Sequence, residues 1–270
     1  MPYPLNTPLG RFGVETTEER DDRCVATIPM AGLVNPVTGA PTVAPLALLV
    51  DHVGGLVNHR RRAAEEWTVT SELAVEIAPD AGEAIAAEPG APVQAVARPL
   101  GGKANGAVAH CELSAGGRAI ATATVHSFFI TAPESFHTWP RNDEGGCLPG
   151  SDLTSLMNVQ IGESGGAAVI LMQGDDAVLN NQVGTVHGGV SAMGLEVVGS
   201  AALDAASSAP TAPFRTGSLR VNYLRPFHGG ARAHYEGNVL RVGRSTGLAE
   251  ARAVGHDGRT ALVARLTAYR

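Results

Sequence analysis

The chain is short of cysteine, and the little it has is not organised. Cys24, Cys111 and Cys147 are scattered over 270 residues and form no Cys-x-x-Cys pair. Such a set argues against a disulfide framework and points to a reducing compartment with inert thiols. No run reaches the roughly 18 consecutive apolar residues of a membrane span. The opening Met1-Pro-Tyr-Pro-Leu-Asn6 lacks the basic and apolar segments of a secretory leader. Basic blocks are missing too, and a net charge of −6 argues against nucleic acid as a partner. These absences predict a cytoplasmic protein that engages neither membrane nor nucleic acid. No Gly-x-Ser-x-Gly elbow marks a serine hydrolase, and His, Cys and Asp nowhere fall at metal-ligand spacing. Gly101-Gly102-Lys103 lacks both the upstream glycine and the following Ser/Thr of a P-loop. Neither a metal nor a resident cofactor is expected.

What remains is 44% hydrophobic and only 17% charged, enough for one large core or two domains of about 130 residues. Stretches 12–30, 67–78, 92–98, 105–114 and 118–130 read as extended, and 43–62 as a helix with Pro45 in its first turn. Residues 134–150, rich in Pro, Asn, Asp and Gly, read as a linker. Strands then recur near 156–162, 166–173, 214–225, 231–241, 246–254 and 259–269, around a helix at about 188–207. The two halves repeat. Asp51-His-Val-Gly-Gly lies under Glu196-Val-Val-Gly-Ser, Asn35 under Asn180, and Ser71–Pro79 under Ser218–Pro226. Gly102-Lys103 likewise pairs with Gly243-Arg244. A tandem duplication follows: 1–133 as a diverged first domain, 134–150 as linker, and 151–270 as the second domain.

The chemistry concentrates in Asn180-Asn181-Gln-Val-Gly-Thr-Val-His187-Gly188-Gly189, which runs into a small, apolar helix carrying one carboxylate, Glu196. A helix start offers unpaired N–H groups and a partial positive charge, and glycine lets a ligand approach them closely. A carboxylate in an apolar helix is costly unless it has a partner or a task.

Asn181-x5-His187-Gly188-Gly189, an acid nine residues after the histidine, Ser218-Leu-Arg-Val-Asn-Tyr-Leu-Arg-Pro226 and Val242-Gly-Arg244 together resemble hotdog-fold acyl-CoA thioesterases of the PaaI-like type. The likeness spans most of 156–270, with 12–131 a diverged copy. It implies an α+β double hotdog, each half an antiparallel sheet wrapped around a long helix, and a site shared between the halves. By that resemblance Asn181 and the Gly188 N–H polarise a thioester carbonyl while Asp51 of the opposite half activates water or attacks directly. His187 positions the loop, Gly189 continues the helix start, and a strand hydroxyl helps hold the water: Ser71, or else Thr70. A second, degenerate site would combine Glu196 with Asn35, Thr42 and Val43, and with Thr216 or Ser218. There Thr42 and Val43 replace His and Gly. Arg244, Lys103 and Arg225 are candidates for CoA phosphates. The expected partner is a small acyl-CoA, bound by a homodimer of the fused chain; the competing reading is a non-catalytic acyl-CoA or lipid-binding protein. The Asp-x4-His and His-Phe-Pro signatures of hotdog dehydratases do not occur.

Overall fold

The computed structural model describes residues 3–140, 151–163, 168–207 and 213–270. The first half runs α1 (Pro8–Arg11), β1 (Glu15–Glu19), β2 (Cys24–Ile28), α2 (Pro45–His59), β3 (Glu66–Ile77), α3 (Ala81–Ala87), β4 (Val93–Leu100), β5 (Gly106–Ala115) and β6 (Arg118–Thr131). The second half repeats the order without a counterpart of α3. It contains α4 (Leu153–Met157), β7 (Val159–Ile161), β8 (Val169–Gln173), a 3-10 turn at Ala177–Leu179, α5 (Gly188–Ala205), β9 (Arg215–Tyr223), β10 (His234–Val242), β11 (Thr246–Val254) and β12 (Thr260–Tyr269).

Among the described residues, twelve strands join one sheet in the order β1-β2-β4-β5-β6-β3-β9-β12-β11-β10-β8-β7. Read from either edge, the order is the same once β7–β12 are matched to β1–β6, so the halves are related by a pseudo-twofold. The seam is the antiparallel β3–β9 pair, with Glu72 opposite Asn222 and Glu76 opposite Ser218. Burial alternates along β6 as the pleat requires, and its inward Ile120, Ala123 and Val125 join the core. α2 packs on β2–β6 and α5 on β8–β12, and the two helices also meet each other. α5 is apolar nearly all round; Val190, Ala192, Met193, Leu195, Val197 and Val198 are all fully buried. The crossing is close because Gly189 lacks a side chain: a Cβ there would stand 2.6 Å from the Leu48 Cα. Among the described residues, no helix is long and apolar enough to cross a membrane.

Several sequence boundaries shift. α2 spans 45–59 rather than 43–62, and the stretch 12–30 breaks into β1 and β2. The greater part of the expected linker, 141–150, lies outside the described residues, and 134–140 runs onto the second half. The repeat register is also corrected. Asn35 is the counterpart of Asn181, not Asn180: each side chain accepts the N–H two residues on, from Val37 and Val183. Along β3 and β9 the match moves by one, because a β-bulge follows Thr70 and another follows Thr216.

Candidate active site

The loop before α5 folds back on itself through an Asn180–Val186 bridge. Asn181 Oδ1 accepts the Val183 and Thr185 N–H groups at 3.0 and 3.2 Å, a local turn that asparagine favours. Its Nδ2 has no acceptor among the described residues. His187 caps α5: its Nδ1 accepts the Gly189 N–H at 3.1 Å. A ring nitrogen that accepts carries no proton, so the imidazole is the neutral Nε2–H form. Burial pushes its pKa down, partly offset by the Asp51 charge. The 3.5 Å approach of His187 Nδ1 to Asp51 Oδ2 is therefore a contact rather than an ion pair. With Gly189 used by the cap, the Gly188 N–H is the first amide of the helix and has no acceptor among the described residues.

Asp51 comes from α2 of the other half and is 7% exposed. Its Oδ1 accepts a 2.9 Å hydrogen bond from the Thr70 hydroxyl. Its Oδ2 stands where a Gly188 Cβ would be only 3.0 Å away, and the Tyr223 ring closes the same spot at 3.3 Å. Tyr223 donates its hydroxyl to the Gly188 carbonyl at 3.1 Å, and burial beside Asp51 holds its phenol well above the ordinary value. One carboxylate oxygen is thus held by protein, while the other faces the glycine at the helix start. Ser71 is not the hydroxyl at Asp51. It sits on the bulge and donates to the His126 carbonyl at 3.1 Å.

The mirror arrangement is closed. Glu196, 3% exposed, accepts the Thr216 hydroxyl on Oε1 at 2.6 Å and the Thr42 hydroxyl on Oε2 at 3.2 Å. Burial raises its pKa, opposed by the two threonines. Thr42 does the work of His187 by accepting the Ala44 N–H at 3.1 Å. The Asn35 amide reaches across to Val197 O at 2.9 Å and Ser200 Oγ at 3.0 Å. Val43 takes the place of Gly188, so a branched side chain stands just before α2. Ser218 pairs with Glu76 on the outer face of the sheet and does not meet Glu196.

The three candidate phosphate ligands are not gathered together. Lys103 is paired with Glu66 and lies over the Phe129 ring. Arg244 sits in the equivalent turn of the other half, between β10 and β11. β5 and β11 stand five strands apart in the sheet, one in each half. Arg225 lies exposed beyond β9. Among the described residues no cluster of three or more His, Cys, Asp or Glu side chains could hold a metal.

Sequence reasoning missed two contributors. Tyr223 is one. The other is the segment after β6, which straps the Asn181 loop: His137 N–H donates to Gln182 O at 2.7 Å, and the Trp139 indole to Asn180 O at 2.8 Å. Neither has a local signal, because each partner lies dozens of residues away.

Residues 183–262 match the family model of the Thioesterase superfamily. The tesB protein of Mycobacterium avium subsp. paratuberculosis superposes over 99% of both chains with a TM-score of 0.63 at 14% identity. The chain is a double hotdog. The acyl-CoA thioesterase II TesB2 of Mycobacterium marinum is also similar, with a TM-score of 0.57 at 12% identity over 96% of this chain and 94% of that one. No curated protein sequence gives a significant match. In this double hotdog the candidate site belongs to neither half alone. Asp51 and Thr70 come from the first, and Asn181, His187, Gly188 and Tyr223 from the second.

Proposed function

We propose that this double hotdog hydrolyses an acyl-CoA thioester at one site shared by its halves, with Asp51 as the base, in the manner of the PaaI-like enzymes. The observation that carries the reading is the meeting of Asp51 Oδ2 with Gly188 at the start of α5. A thioester carbonyl seated there accepts from the Gly188 N–H and the Asn181 amide. Charge that develops on that oxygen is stabilised by preorganised donors and the helix start, each donor worth ~10²–10³ in rate. Water held by Asp51 Oδ2 attacks the carbonyl carbon, and its proton passes to the carboxylate. The tetrahedral intermediate then expels the thiolate as the C–S bond breaks, and the proton returns to sulfur. Free acid and CoA leave, with water the only co-reactant. The Glu196 site is read as closed, since both its oxygens are engaged by threonines and Val43 crowds the amide.

Asp51→Asn is expected to lower kcat by ~10²–10⁴, while Glu196→Gln keeps most of the activity. A thiol-reactive dye with short, medium, long and aromatic acyl-CoAs reads both. The reverse pattern would move the chemistry to Glu196. Rates at buffer background for every substrate would leave a non-catalytic acyl-CoA-binding protein.

A further inference from the structure

Beyond Asp51, α2 presents Gly55 and Asn58, four and seven residues on, along the same face. A Cβ placed on Gly55 would find a single neighbour within 4 Å, the Thr70 hydroxyl at 4.0 Å. Open space therefore lies beside the group that holds Asp51. Two buried oxygens at this place have no partner among the described residues, Thr68 Oγ1 and Asn58 Oδ1. Thr68 precedes Thr70 by two residues on β3 and shares its face. Asn58 is fully buried, and its orientation is fixed. Its Nδ2 donates to the Val125 and Ala107 carbonyls at 3.1 and 3.4 Å and to Ser127 Oγ at 3.0 Å, and a carbonyl can only accept. Ser127 pairs with Thr70 across β6–β3, so Gly55, Asn58, Thr68, Thr70 and Ser127 belong to one corridor.

The other half has filled this space. Counted from the matched acids Asp51 and Glu196, Ser200 replaces Gly55 and Leu203 replaces Asn58. Counted from Thr70 and Thr216, Phe214 replaces Thr68. Ser200 is bonded to Asn35, while Leu203 and Phe214 are buried, at 0% and 6% exposure. The open, polar corridor accompanies the carboxylate with a free oxygen, and the filled one accompanies the sealed carboxylate. Natural interiors seldom leave buried oxygens unpaired.

We propose that the corridor beside Gly55 binds an arm of the thioester bearing one group that both donates and accepts a hydrogen bond. That group, a hydroxyl or a secondary amide, lies about 7 Å from the reacting carbonyl, two residues along the strand. It donates to Asn58 Oδ1 and accepts from the Thr68 hydroxyl. The arm is either a hydroxylated acyl chain or the amide-bearing pantetheine. A plain alkyl arm leaves both oxygens unpaired, and a site built to bond a polar group rejects the analogue that lacks it. The inference rests on Asp51 marking the reacting centre.

Calorimetry on the full chain with two non-hydrolysable thioethers, hexyl-CoA and 6-hydroxyhexyl-CoA, tests it. If the acyl chain fills the corridor, the hydroxylated ligand binds about 10-fold tighter, and Thr68→Val erases the preference. If pantetheine fills it, the two bind alike, and Thr68→Val weakens both by about the same factor. Thr68→Val removes a hydroxyl that has no partner among the described residues, so its melting temperature is expected to match or exceed that of the parent. Gly55→Leu, which blocks the corridor, is expected to abolish binding of both ligands. Unchanged affinities in Thr68→Val, full binding by Gly55→Leu, or no binding by the parent overturns the subsite. Binding without hydrolysis of any acyl-CoA defeats the thioesterase reading and leaves the subsite standing.

Discussion

At Asp51 the deciding contact is the one that strict strand alternation misassigns. The extra residue of the bulge turns Ser71 away and brings Thr70 to the carboxylate at 2.9 Å. A hydrogen bond to a charged group contributes about 1.5–3 kcal/mol, so Thr70→Val is expected to lower kcat by at least about 10-fold. Ser71→Ala, whose hydroxyl serves a backbone carbonyl, leaves kcat within twofold (a roughly null effect). Steady-state kinetics on the two variants decide it, and a larger loss from Ser71→Ala would reinstate Ser71 as the partner. Asp51, Asn181, His187 and Gly188 could be picked out in the sequence because a short glycine-bounded motif and a lone helix acid are local signals. Thr70 against Ser71 could not, since one bulge reverses every side chain beyond it. Tyr223 was hidden for another reason: its acceptor, the Gly188 carbonyl, is 35 residues away in the chain.

Among the elements, α5 and α2 were legible from their largely apolar character, and β3, β5 and β6 as extended stretches. α1, α3 and α4 are 4, 7 and 5 residues long, too short for a helical period to register. The segment after β6 misled for the opposite reason. Its Pro, Asn and Gly content reads as slack, yet His137 and Trp139 fasten residues 134–140 to the loop that carries Asn181. His137 Nε2 donates to Ala177 O at 2.9 Å, and the Trp139 indole to Asn180 O at 2.8 Å. Trp139→Phe keeps the ring and removes the donor. It is expected to speed amide exchange across residues 181–184 and to lower kcat several-fold, with the melting temperature falling by only about 2 °C. Unchanged exchange in that loop would mean that the strap merely lies against it.

For the whole molecule, the duplication was readable because the matched acids and glycines keep their spacing in both halves. The single twelve-stranded sheet was not, because the β3–β9 seam depends on which edge each half leaves open. Burying both helices inside this shell also places histidines out of water. His52, bonded to Thr16 at 2.8 Å, has its pKa pushed down to about 3 by burial and by His187. His59, nearer the surface, is lowered to about 4. In the unfolded chain both titrate near ~6.5. Below that pH the unfolded state binds protons that the folded state refuses, so stability is full above about 6.5 and is lost as pH falls toward the folded values. The slope for His52 approaches 1.4 kcal/mol per pH unit, about one proton's worth, and the contribution of His59 is reduced by solvent screening. Glu196 acts with the opposite sign. Its raised pKa favours the fold at low pH and is a burden once pH rises through its folded value, so Glu196→Gln is expected to gain stability at pH 7 relative to pH 4. Melting temperatures measured from pH 4 to 8 are expected to fall on the acid side in the parent chain and to fall less in His52→Asn. An acid slope that survives His52→Asn unchanged would place the proton uptake elsewhere.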